Sequence, residues 1–275
     1  MEILKSNCEK VVLDCNMTYD EFMKYYNNCV CMGMVNDDDS ITVNNLNYLV
    51  KDGNVELEGY FFEDDTDTYI ESPNIIVTII LPSFVSSIAD AAFIECQNLT
   101  EISGDGITDI GAYAFDSCVR LEKVNFPNLK SVGDNAFQFC KLLKEINLLN
   151  CIKVGNWSFA ACMSLKEINA PKLIRSGISS FAECYSLTDC KLDSIDYLPR
   201  STFTDCLKLQ KFYAPKIILG LPNTSEQKVT SDDIFDGCCP SLSQIHVGAY
   251  IGTFHTKYFD CELICENYIT EVTND

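Results

Sequence analysis

Sixteen cysteines and two histidines are the residues with most chemistry to offer in this 275-residue chain. A thiolate attacks a carbonyl when a base lies beside it, and four thiolates can hold zinc. Neither arrangement is spelled out. The only imidazoles are His246, read as lying in the last repeat strand, and His255, in the terminal segment. Cys238, Cys239, Cys261 and Cys265 are near them in sequence, but in an order that matches no cysteine protease. Cys261 and Cys265, four apart, suit one face of a helix. Cys8, Cys15, Cys29 and Cys31 form a C-x6-C-x13-C-x-C set, without the two close hooks of an ordinary zinc site. Metal binding and plain burial both remain open for that set. Asp37-Asp38-Asp39 and the run Glu63 to Asp67 lack the central glycine and distal glutamate of a calcium loop, so they read as solvated loops. No G-x-S-x-G, H-E-x-x-H, P-loop or dinucleotide fingerprint occurs. The reading is a non-enzyme with no catalytic residue, cofactor or assigned metal.

Charge narrows the partners. The chain carries 20 Lys plus Arg against 40 Asp plus Glu, a formal net charge of −20. Few cations are available to release counterions from a phosphate backbone or to dock on an anionic bilayer, so nucleic acid and membrane surfaces are excluded. The longest apolar stretch, Ile75 to Val85, is too short to span a membrane and contains Pro82, so no insertion is expected. The opening MEILKSNCEK has no apolar signal region, and the expected compartment is the cytoplasm, with thiols reduced.

The elements that position these residues follow from a repeat. Phe93, Phe115, Phe137, Phe159, Phe181 and Phe203 recur every 22 residues. Three positions after each comes Cys96, Cys118, Cys140, Cys162, Cys184 or Cys206, and three further on a leucine, from Leu99 to Leu209. A seventh copy, Phe235 to Cys238 with Leu242 and Ile245, follows an insertion at 222–231. A 22-residue unit cannot bury its own apolar residues, so neighbouring coils must stack. In Leu121 to Leu129 the apolar residues follow L-x-x-L-x-L-x-x-L, and Val124 and Phe126 alternate with Lys123 and Asn125 as in a short strand. Ser131 to Phe137 turns through Gly133 into a helical or 3₁₀ return. Successive strands then run parallel. The column cysteines read as small buried hydrophobes. Pro127, Pro171 and Pro215, 44 apart, read as strand ends.

The unit I-x-x-I/V-G-x-x-A-F-x-x-C-x-x-L-x-x-I/V, clearest in Ile110 to Cys118 and Val132 to Cys140, resembles the BspA-type leucine-rich repeat. Tyr48 to Tyr60, with Asp52-Gly53 at its turn, resembles the hairpin that opens such arrays. The resemblance implies an α/β repeat: a right-handed leucine-rich-repeat solenoid with a parallel strand ladder on its concave side and a cap at each end. The expected organisation is an N-terminal helical cap over 1–36, a hairpin segment over 37–76, repeats over 77–249 and a C-terminal cap over 250–275. Thr18 and Glu21 have the spacing of a capping box, placing Phe22 in the first cap's helix.

The ladder's outward columns are the candidate binding surface. One reads Glu101, Lys123, Glu145, Glu167, Asp189, Lys211, and the other reads Ser103, Asn125, Asn147, Asn169, Lys191, Tyr213. Asn125, Asn147 and Asn169 have a structural explanation as stacked amides that hydrogen-bond along the ladder. Glu145, Glu167 and Asp189 would stack as like charges on adjacent strands, a cost that a cationic partner relieves. The expected function is a protein-protein interaction module whose partner carries a basic patch. The alternative is a surface or secreted adhesin for host or matrix protein or glycan. Sequons at Asn16, Asn98, Asn156 and Asn223 would suit that route.

Overall fold

Phenylalanine, cysteine and leucine columns form the spine of the molecule. In the computed structural model the described residues are 10–14, 18–24, 41–43, 46–51, 54–60, 76–219, 234–238, 242–251 and 262–269. Phe93, Phe115, Phe137, Phe159, Phe181 and Phe203 are all buried, and neighbouring rings stack nearly parallel with centroids 5.0 to 5.5 Å apart. Phe235 joins them at 5.9 Å from Phe203. Each ring covers the face of the next, so a coil that could not bury its own phenylalanine does so between neighbours.

The central coils run through three inter-coil ladders. The first is parallel and lies on the candidate binding side. It joins Lys10–Asp14, Ile76–Ile80, Leu99–Ser103, Lys123–Asn125 and Glu145–Ile146, and then, as a separate sheet, Glu167–Asn169, Asp189–Lys191, Lys211–Leu219, Gln244–Ile251 and Glu262–Ile269. Burial alternates as the period of two requires: Val124 is inside while Lys123 and Asn125 face out. A back sheet carries the short pairs Asp109–Ile110, Ser131–Val132 and Lys153–Val154. At its start it takes up the antiparallel hairpin Leu46–Lys51 and Asn54–Tyr60.

The third ladder replaces the helical return. The segments 112–117, 134–139 and 156–161 are turns. Two non-glycine residues per coil have left-handed backbone, for example Tyr113 (φ 58°) and Ser117 (φ 60°), which breaks any helical run. Their N–H groups point along the stacking axis instead, to Asp134 O at 2.8 Å and Gln138 O at 2.9 Å. Bonds between coils therefore take the place of bonds within a helix. Glycine opens this edge: a Cβ on Gly155 would lie 2.5 Å from Asp134 N and 2.6 Å from Gly133 C. The Asp134 carboxylate accepts from Asn156 N at 2.8 Å across the same gap.

The ends differ from the sequence reading in detail. The N-terminal segment, expected as a helical cap over 1–36, contains a strand, Lys10–Asp14, because its Val-Val-Leu run suits a ladder position beside Ile76–Ile80. Residues 19–24 are helical, and both halves of the capping box form: Thr18 N donates to Glu21 Oε2 at 2.9 Å and Glu21 N to Thr18 Oγ1 at 3.3 Å. These bonds hold the exposed Glu21 carboxyl below its usual pKa. Phe22 packs on Tyr48 at 5.5 Å and Phe84 at 5.2 Å. At the other end Cys265 lies in the strand Glu262–Ile269, not on a helix, and Cys261 is outside the described residues. Pro215 does not end its strand. It sits within Lys211–Leu219, where the register shifts between Ala214 and Ile218, a bulge that accommodates a residue with no N–H donor. Cys8, Cys15, Cys29, Cys31, both acidic runs, His255 and the loop 222–231 fall outside the described residues.

Candidate binding face

The strand register decides which outward side chains meet. Glu101, Lys123 and Glu145 occupy successive rungs of one sheet, and Glu167, Asp189, Lys211 and Gln244 successive rungs of the next. Lys123 Nζ donates to Glu101 Oε1 at 2.8 Å, and its pKa is raised by that bond. Beside this pair Lys144 contacts Glu122. Among the described residues of this face, like charges sit directly opposite at Glu167 and Asp189 but Glu145 does not pair with Glu167, so the expected three-acid stack is divided.

The division has a local cause. Asn147 Oδ1 accepts from Leu149 N at 3.1 Å, an Asx turn that bends the chain immediately after Ile146. The ladder strand in this coil is only Glu145–Ile146, and it pairs back to Lys123–Asn125 while Glu167–Asn169 pairs forward. Ile146 is half-buried, whereas Ile102, Val124, Ile168 and Cys190 in the same column are buried. A shallow open depression at this point is lined by Lys123, Val124, Asn125, Glu145, Ile146 and Asn147. The expected amide ladder is absent among the described residues: Asn147 uses its oxygen on the backbone, and Asn125 and Asn169 do not bond to it or to each other.

The second half of the face is aromatic. Lys191 Nζ lies 3.7 Å from Asp193 and 5.7 Å from the Tyr213 ring centre, and the Tyr213 ring meets His246 edge-on at 4.6 Å. His246 and Gln244 continue the two outward columns by one rung. The insertion at 222–231 hides them from a fixed 22-residue count, since the rung after Tyr213 falls 33 positions later.

Nine cysteines, from Cys96 to Cys238, are free thiols, and all but Cys96 are buried. Burial pushes Cys96 up to about 11, Cys151 up to about 12, and Cys118, Cys140, Cys190 and Cys206 well above the ordinary thiol value. A nucleophile needs the opposite shift. Among the described residues no group of three or more His, Cys, Asp or Glu side chains is arranged to hold a metal, and no helix is long and apolar enough to cross a membrane.

The sequence model described as the BspA type leucine rich repeat region matches residues 67–176 and 108–225, with six copies. A search of curated proteins found no match. Among solved structures, the leucine-rich-repeat protein of Treponema pallidum is 18% identical, with 76% of this chain and 86% of that chain covered and a TM-score of 0.49. One from Bacteroides ovatus is 21% identical, covering 86% and 79%, with a TM-score of 0.48. A leucine-rich cell surface protein of Faecalibacterium prausnitzii is 16% identical, covering 86% and 95%, with a TM-score of 0.40.

Proposed function

The chain belongs to the BspA-type leucine-rich-repeat family, whose repeats commonly serve as interaction or adhesion modules, and from that premise we propose that it is a non-enzymatic protein-binding module. The observation that carries the reading is the outward ladder face. It offers a pre-formed row of polar side chains from Glu101 to Tyr213, with the backbone beneath them paired from coil to coil on either side of the break after Ile146. Binding then requires little ordering of the protein itself. Glu145 and Glu167 are exposed and make no ion pair among the described residues, so a partner segment carrying a basic patch gains attraction there without displacing an internal counterion. Asn125, Asn169, Asp189, Lys211 and the Lys191–Tyr213 pair provide the flanking polar and aromatic contacts.

We place the protein in the cytoplasm, an assignment supported by the free thiols of nine cysteines between Cys96 and Cys238. The adhesin alternative uses the same face on a host or matrix protein or glycan and requires the chain on intact cells. Affinity capture from the host, comparing wild type with Glu145→Lys/Glu167→Lys, tests the function. Loss of a specifically captured protein from the folded variant supports it, and unchanged capture rejects it.

A further inference from the structure

The back sheet, on the side away from the ladder face, has a charge of its own. Three consecutive coils run up to it as Pro127-Asn-Leu-Lys-Ser131, Leu149-Asn-Cys-Ile-Lys153 and Pro171-Lys-Leu-Ile-Arg175, the last joined through an isolated Lys153–Arg175 bridge. These segments hold Lys130, Lys153, Lys172 and Arg175 and not one acid, in a chain with twice as many acids as bases. The equivalent stretches on either side, Asp105 to Asp109 and Asp193 to Tyr197, carry two acids each. The basic zone is therefore bounded at both edges.

Register brings the zone together. Lys153 pairs with Ser131 on one side and bridges to Arg175 on the other, while Ile152 N bonds to Lys130 O at 2.7 Å and Ile174 N to Ile152 O at 3.0 Å. Lys130, Lys153 and Arg175 are exposed and make no ion pair or side-chain hydrogen bond among the described residues. Ile152 and Ile174, in the column that Lys130 begins, are 42% and 50% exposed. Two aliphatic side chains are thus held out in solvent among unneutralised cations.

We propose that the surface formed by Lys130, Ile152, Lys153, Ile174 and Arg175 docks an acidic, aliphatic-bearing segment of a protein partner. Charge complementarity selects the acidic component, and the two isoleucines select aliphatic side chains between the carboxylates. The bounded length argues against a long polyanion. Three rungs span only about 10 Å along the stack, and the aspartates beyond them repel a chain of phosphates or sulfates that continues along the axis. The sheet backbone is already paired from coil to coil, so recognition is by side chains rather than by strand addition. This surface is separate from the ladder face and stands whether or not that face binds.

The test is fluorescence anisotropy with a short labelled peptide of alternating glutamate and leucine, against the full-length protein. Wild type should bind it, more weakly as salt rises. Lys130→Glu/Lys153→Glu/Arg175→Glu should lose at least about tenfold in affinity. Ile152→Ser/Ile174→Ser should also weaken binding, while Glu145→Gln/Glu167→Gln on the opposite face should leave it unchanged. If the charge-reversed protein does not fold, Gln at the same three positions gives the same reading. No binding by wild type, equal binding by the cation variants, or preference for a polyglutamate or a single-stranded oligonucleotide would overturn the proposal.

Discussion

The thiol of Cys140 donates a hydrogen bond to the carbonyl oxygen of Phe115, one coil back, at 3.1 Å. The same contact recurs from Cys118 to Phe93, Cys162 to Phe137, Cys184 to Phe159, Cys206 to Phe181 and Cys238 to Phe203, at 2.8 to 3.3 Å. Each of these carbonyls but Phe181's is also shown accepting the N–H of the cysteine three residues on, and Phe181's holds the equivalent place in the repeat. Cysteine at this column is therefore more than a small hydrophobe: its S–H occupies a second lone pair of the phenylalanine carbonyl. Cys140→Ala should cost about 1–2 kcal/mol, the sum of a small cavity and a weak bond, measured by chemical denaturation. An unchanged midpoint would show the contact to be incidental.

The buried thiols should make stability depend on alkaline pH. Their folded pKa values lie above the ordinary value of about 8.5, so the folded state holds these protons more tightly than the unfolded one. The resulting stability is fully present below about pH 8.5 and is lost as pH rises above it toward the folded values. Thermal melts from neutral to alkaline pH should show a steep fall beginning there. In thiol titration of the native protein Cys96, the least buried of the repeat column, should react before Cys118 or Cys140. A flat alkaline profile, or simultaneous labelling of the column, would contradict this.

The stacked rings should dominate the mutational cost. Phe159 lies between Phe137 at 5.3 Å and Phe181 at 5.4 Å, fully buried. Phe159→Ala should lose about 3–5 kcal/mol. A loss much below that would mean that the coils collapse into the gap.

Two substitutions in neighbouring positions of one coil should act in opposite directions. Ser158 is buried with a hydroxyl that has no partner among the described residues, at a column filled elsewhere by Ala92, Ala114 and Ala136. Ser158→Ala should raise stability by about 1 kcal/mol. Gly155→Ala puts a methyl into the backbone of the preceding coil and should lower it by about 1–3 kcal/mol. Denaturation curves that show the reverse order would place the coil edges wrongly.

Much of the architecture was legible because it repeats. The phenylalanine, cysteine and leucine columns, the capping box at Thr18 and the outward columns from Glu101 to Tyr213 follow from spacing, and the hairpin expected over Tyr48 to Tyr60 follows from the family resemblance. The turn edge was not legible, because Tyr113, Phe139 and Trp157 are unusual residues for left-handed backbone and only the inter-coil bonds hold them there. The division of the ladder was hidden for a similar reason. Asn147 occupies the same column as Asn125 and Asn169, and only its geometry reveals that its amide oxygen turns back to Leu149 instead of facing a neighbour. The basic back zone was written in the sequence throughout, but its three segments lie 22 residues apart and become one surface only when the coils stack.

Site-specific photo-crosslinking tests the central claim most directly. A photoreactive phenylalanine analogue placed at Glu145 or Asn169 on the ladder face should crosslink the captured partner in host extract, while the same group at Gln138 on the turn edge should not. Crosslinking from Gln138 in preference to the ladder positions would contradict the account and move the binding site off the ladder.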